Sequence, residues 1–164
     1  LPTLIGITVA FLAFELVRLR FPQVNHHFLH CFSKLLRQEE ASRPTSSAWL
    51  LIAASIVFVF FDQVIAAIAL TFLAVGDPIA GMVGERYGKL RVRGKSLKGS
   101  GACLLACLVA GAILASIIQV PLWLVAVGAI CATLVEFLSL PVNDNLTIPL
   151  VAGGAMTLTQ LICL

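Results

Sequence analysis

The sequence predicts an all-α protein: a polytopic membrane helix bundle of about six transmembrane helices, with one amphipathic helix lying in the interface. Three observations predict it. Of the 164 residues, 60% are apolar and only 12% charged, and the mean hydropathy is +1.03; soluble domains carry about 25% charged residues. So few charges cannot cover a folded surface in water. Six apolar stretches, residues 1–17, 48–61, 63–75, 101–118, 122–140 and 146–164, approach the roughly 20 residues that a bilayer span needs. All 11 Lys and Arg residues fall in two connections, five between the first and second stretches and six between the third and fourth. A soluble domain, a disordered chain, a collagen, a secreted disulfide scaffold and a free-standing nucleic-acid module are thereby excluded. Residues 1–164 read as a single integral membrane domain, and no nucleic acid is expected as a partner.

The elements follow in order. Residues 1–17 lack a basic leader and an Ala-x-Ala-like cleavage site, and Glu15, Arg18 and Arg20 stand at their end. A retained span is therefore expected rather than a signal peptide; the chain opens on Leu1 and not on Met, which is compatible with further residues upstream. Residues 21–38 place Val24, Phe28, Phe32, Leu35 and Leu36 at near-helical spacing, opposite His26, His27, His30, Lys34 and Arg37. That is the pattern of an interfacial helix. His26, His27, His30 and Cys31 invite a zinc reading, but no glutamate stands between the histidines as in a hydrolytic zinc helix, and the interfacial reading is preferred. Residues 48–61 and 63–75, parted at Asp62, are expected to form a tight helical hairpin. With six alternating spans, both basic connections share one face with the short turn 141–145, and the positive-inside rule makes that face cytoplasmic. The five cysteines include no CxxC pair, and four lie in apolar stretches, where a thiol acts as a small apolar residue. Neither the oligomeric state nor the kind of membrane is legible.

Residues 76–100 carry the first chemical signal. Asp77 closes an apolar stretch, where a carboxylate is expensive and suggests function. Pro78 biases it away from helical geometry, so the helix is expected to open or bend at the acid. Glycines at 76, 81, 84 and 88 allow close packing or close approach of a ligand. Six cations then follow in 13 residues, interleaved with Gly94 and followed by Gly99 and Gly101. A basic, glycine-rich connection at 85–100 leading into a helix suits a polyphosphate. It is not a Walker loop, because Gly88 lies one residue too far from Gly94-Lys95-Ser96. An ordinary basic loop touching anionic lipid explains the charge, but not the Asp-Pro pair or the glycine spacing.

The second signal is Glu136 followed by Asn143-Asp144-Asn145, Thr147 and Pro149. Helix capping accounts for one of these polar residues, not for three in a row with a glutamate in the preceding span. Asp77, Glu136 and Asp144 thus gather on the face that carries the cations. Acids for Mg²⁺ and cations for phosphates are what phosphoryl or nucleotidyl transfer needs. A third segment, Arg37 to Glu40 followed by Thr45, Ser46 and Ser47, reads equally as a capped helix start or as a substrate contact.

These residues resemble the CTP-dependent lipid-alcohol kinases, a family that includes dolichol kinase, phytol kinase and fungal-type diacylglycerol kinase. The resemblance rests on Asp77-Pro78-x-Ala80 with Gly84, Gly88 and Lys89, then Gly94-Lys95-Ser96-x-x-Gly99-Ser100, then Asp144-Asn145-Leu146-Thr147-Ile148-Pro149 with Glu136 ahead of it. It implies a polytopic enzyme that moves the terminal phosphate of CTP to a long-chain alcohol. Lys98 stands where the family has an acid, Thr45-Ser46 replaces its Thr-Gly pair, and Pro141-Val142-Asn143 stands where a glycine is common. The CDP-diacylglycerol synthases are the nearest rival: they share the Asp-x-x-Ala and Gly-Lys elements but attack the α-phosphorus, and their Ser-Pro-Lys-Lys-Thr element is absent here. From another class, a small transporter with a broken third helix would keep charges in its spans; here the cations all lie in connections.

The expected site follows. Gly84, Lys89, Arg91, Arg93, Lys95, Ser96, Lys98, Gly99 and Asn145 are expected to bind the nucleotide. Asp77 and Asp144 are expected as catalytic carboxylates and, with Glu136, as Mg²⁺ ligands; which one accepts the alcohol proton stays open. Arg37, Glu40 and Thr147 are candidate substrate contacts. The partners expected are CTP, a long-chain lipid alcohol and the bilayer, from which the lipid enters laterally with its head near Asp77.

Overall fold

A computed structural model describes residues 1–32, 38–92, 94–140 and 142–163. Seven α-helices carry the described chain: α1 (Pro2–Arg20), α2 (Pro22–Cys31), α3 (Ser46–Phe60), α4 (Gln63–Tyr87), α5 (Leu97–Ile118), α6 (Leu122–Leu138) and α7 (Asp144–Cys163). A 3₁₀ turn (Gln38–Ala41) precedes α3, and a small antiparallel hairpin, β1 (Arg91–Val92) and β2 (Lys95–Ser96), joins α4 to α5. Four helices, α1, α4, α5 and α7, are long and apolar enough to cross a membrane. The chain is thus a multi-pass, all-α membrane protein. The count of six expected from the apolar stretches rests on four such helices and two shorter ones, α3 with 15 residues and α6 with 17, or about 22 and 26 Å at ~1.5 Å per residue.

Local chemistry sets the ends. Pro2 and Pro22 occupy first-turn positions, where the missing N–H is no loss. Thr45 Oγ1 caps α3 by accepting from the Ala48 amide, Asp62 Oδ1 caps α4 by accepting from the Val64 amide at 2.9 Å, and Ser96 Oγ caps α5 by accepting from the Gly99 amide at 2.9 Å. The hairpin pairs Arg91 with Ser96 and Val92 with Lys95, and Gly94 takes φ +87° just before β2. α2 is shorter than the predicted 21–38 helix and buries none of its residues; Lys34, Leu35, Leu36 and Arg37 lie outside the described residues.

Two expectations are corrected. The helix does not open at Asp77-Pro78: α4 runs unbroken for 25 residues through Pro78. An interior proline costs about 3 kcal/mol in lost hydrogen bonding and crowding. Pro78 lies on the exposed side of α4, while Phe72, Leu73, Gly76, Ala80 and Gly84 are buried on the other. Packing along that buried face outweighs the local preference. The connection is also shorter than 85–100, because Glu85, Arg86 and Tyr87 complete α4 and α5 begins at Leu97.

The core is the α4–α5–α6–α7 cluster around Phe72, which is fully buried between Gly111 of α5 and Gly128 of α6. In a bilayer, lipid tails are as apolar as the side chains, so dispersion contacts through small residues drive helix association. Gly76 faces the thiols of Cys103 and Cys107, and Gly99 faces the Ala80 carbonyl and Gly84. At the far end, the Phe61 ring fills the space beside Gly153. α1 stands at the edge, against α3 and α2, with Thr8 Oγ1 2.8 Å from Ser55 Oγ.

A methyl group at position 111 would meet Val125 and the Phe72 ring, whereas one at position 6 meets nothing within 4 Å. Gly111→Ala is therefore expected to lower stability by about 1–3 kcal/mol through overpacking. Gly6→Ala should be neutral or slightly stabilising. Thermal unfolding in detergent, followed by circular dichroism, separates the two.

Candidate functional site

The site is built at the bundle end where α4 finishes, α5 and α7 begin and α6 finishes. Lys95 reaches it from the hairpin. Its Nζ donates to Asp144 Oδ2 at 3.0 Å, lies 3.0 Å from Glu136 Oε1 and 4.0 Å from Asp77 Oδ1. Glu136 is 2% exposed, and its second oxygen accepts from Ser100 Oγ at 2.9 Å. A carboxylate so buried requires both a counter-charge and a hydrogen-bond donor; Lys95 and Ser100 supply them. The side chains of Asp77, Asp144 and Lys95 remain 27–31% exposed, so the cluster opens to solvent on one side. Burial works against the Lys95 ammonium, but hydrogen bonds to Asp144 and Glu136 and the charges of both outweigh it and raise its pKa above the ordinary lysine value.

The residues named from the sequence divide into groups. Asp77, Glu136, Asp144 and Lys95 converge. Lys95, expected among the phosphate cations, stands between the acids expected to hold the metal. Those acids come from three helices, and without a cation their mutual repulsion would oppose packing. Lys89, Arg91 and Lys98 are exposed around the hairpin. Gly84 and Gly99 lie against one another in the α4–α5 contact, and Ser96 Oγ sits beside both. Asn145 Nδ2 donates to the Ser46 carbonyl at 3.0 Å, tying α7 to α3. Thr147 Oγ1 bonds to the Asn143 carbonyl at 3.4 Å. Glu40 is buried and accepts from the Ser46 amide and hydroxyl, both at 2.6 Å, so it helps cap α3. Arg37 and Arg93 lie outside the described residues.

Among the described residues, no three His, Cys, Asp or Glu side chains are arranged to hold a metal ion, the histidines of α2 included. The donor chemistry of Asp77, Glu136 and Asp144 nevertheless suits Mg²⁺, which takes hard carboxylate oxygens. The cluster is already arranged around a positive charge, that of Lys95.

Sequence reading missed Ser100 as the partner of Glu136, and it missed a buried pair on α1. Arg18 is fully buried and Glu15 is 2% exposed, with Arg18 Nη2 2.8 Å from Glu15 Oε2. The signal was present: opposite charges three residues apart at the end of an apolar helix face the same way.

Lys95→Met leaves the carboxylates without their shared ammonium. The buried Glu136 then lacks its counter-charge, and the three acids repel one another. The variant should lose about 2–3 kcal/mol relative to the parent, less than the ~3–5 kcal/mol of a fully buried broken pair. Unfolding midpoints of parent and variant in detergent check it.

CTP-dependent diacylglycerol kinase 1 of Eremothecium gossypii is 33% identical to this chain over 116 residues, 69% of the chain and 35% of that protein. The chain therefore spans about a third of the length of the curated relative it matches. No protein-family model matches the chain, and no solved structure does. The likeness is thus a partial one.

Proposed function

We propose that this chain forms the membrane-embedded catalytic region of a CTP-dependent lipid-alcohol kinase. It would transfer the terminal phosphate of CTP to the hydroxyl of a membrane lipid alcohol and release CDP. The observation that carries the reading is the meeting of Asp77, Glu136, Asp144 and Lys95 at the bundle end that bears the basic connection. The similarity to a CTP-dependent diacylglycerol kinase makes diacylglycerol the first acceptor to try, with dolichol, shorter polyprenols and phytol as the others.

Catalysis of phosphoryl transfer is mostly positioning and charge neutralisation. Lys89, Arg91 and Lys98, exposed around the hairpin, bind the CTP phosphates, with Lys95 bridging from them to the acids. Asp77 and Asp144 are the side chains that would hold Mg²⁺, which supplies charge neutralisation on the phosphate oxygens when bound. One of these two carboxylates takes the alcohol proton as the alcohol oxygen bonds to the γ-phosphorus and the bond to the CDP oxygen breaks. Glu136, buried and held by Ser100, orients Lys95. The lipid comes laterally out of the leaflet on the face with the basic connections, which the positive-inside rule makes cytoplasmic.

Purified protein incubated with CTP labelled at the γ or the α phosphorus, in mixed micelles with each alcohol or with phosphatidate, tests the reading. Label should pass from the γ position to an alcohol. Transfer of α-labelled CMP to phosphatidate would select the cytidylyltransferase reaction, and transfer of neither would reject both. Asp77→Asn and Asp144→Asn should each lower turnover about 100-fold or more, the scale of removing one preorganised charge, while the protein stays folded in detergent.

A further inference from the structure

Outside the carboxylate cluster, the most densely bonded polar group in the described chain is the Arg18 guanidinium. Its Nη1 donates to Asn25 Oδ1 at 2.8 Å and to the Glu40 carbonyl at 3.1 Å; its Nη2 donates to Glu15 Oε2 at 2.8 Å and to the Arg43 carbonyl at 3.0 Å. The Phe28 ring lies 5.2 Å away on its face. Glu15 in turn accepts from the Thr45 amide at 3.3 Å and the Thr45 hydroxyl at 3.1 Å. The segment entering α3 is thereby fastened to α1 through its backbone. The next residue, Ser46, donates to Glu40 and offers its carbonyl to Asn145. A continuous polar chain therefore runs from α1, across the head of α3, to the residue beside Asp144.

We propose that Arg18 and Glu15 are a positioning pair for the site: they fix the head of α3, and Asn145 transmits that fixed point to the first turn of α7 and so to Asp144. The inference rests on the reading of Asp144 as a working carboxylate. A pair that only stabilised the protein could sit anywhere along α1. This one lies at the site end and bonds to the carbonyls of residues 40 and 43 and to Thr45. Lysine cannot replace the arginine, because two nitrogens each serve two acceptors in a fixed fork. The exposed phosphate cations lie on or beside the hairpin, which this chain of bonds does not hold. Disturbing the pair should therefore move Asp144 and leave Lys89, Arg91 and Lys98 where they are.

Two readouts on Arg18→Lys test this in the full chain. Hydrogen–deuterium exchange at residues 145–149 should speed about 10-fold while α5 stays as protected as in the parent. The rate of CTP-dependent phosphorylation at saturation should fall about 10-fold, with a smaller change in KM for CTP. Faster exchange confined to 38–45, or a rise in KM for CTP with the saturated rate intact, would overturn the proposal. Should Arg18→Lys also loosen α4 and α5, Thr45→Val is compared instead with Thr45→Ser, which keeps the hydroxyl for Glu15; only the valine should speed exchange at 145–149, and equal behaviour would overturn the proposal. If the parent protein transfers no label from CTP, exchange alone decides: protection lost at 145–149 supports the pair, and protection retained refutes it.

Discussion

The Lys95 ammonium lies 3.0 Å from carboxylates on α6 and α7 and 4.0 Å from one on α4, so three separate helices share a counter-charge delivered by a hairpin of two-residue strands. The bundle end is assembled around that arrangement. In a chain with only 12% charged residues, acids that face one another need a cation close by, because little water or polar surface is available to screen them. Ser100 completes the arrangement by satisfying the second oxygen of the buried Glu136 and, as part of the first turn of α5, ties the hairpin's exit to α6.

Close packing of α4 on α5 makes this geometry possible. Gly99 sits against the Ala80 carbonyl and Gly84, and Ser96 lies beside Gly84 and Gly88, so the hairpin emerges close to α4 and within lysine's reach of the acids. Of the glycines read as allowing close packing or a ligand's approach, Gly76, Gly84 and Gly88 serve contact with α5 or Ser96, whereas Gly81 meets nothing within 4 Å. The same packing explains why Pro78 does not interrupt α4. A proline's conformational bias acts over one residue and its neighbour, whereas the buried face of α4 runs from Ile65 to Gly84, about five turns.

Two polar assemblies occupy the same end of the molecule, and they differ in character. The Lys95 cluster is part-exposed and composed of side chains that can exchange partners. The Arg18 clasp is sealed: its guanidinium and the Glu15 carboxylate are buried, and several of its acceptors are backbone carbonyls. A fixed clasp beside a half-open charged cluster is the division expected between a support and a working site, and Asn145 is where they meet.

Composition and order determined the class of this protein, because apolar stretches near spanning length and cations confined to two connections leave few alternatives to a membrane bundle. The acids at 77, 136 and 144 were legible as a group, since alternating helices bring every second connection to one end. What only the tertiary structure decided is which cation they face, that Ser100 serves Glu136, that α4 continues past its proline, and that Arg18 and Glu15 are buried against the segment entering α3. The first three depend on how closely the helices approach one another, which glycine and alanine contacts help to set. Such contacts involve residues far apart in sequence, and no local pattern encodes them.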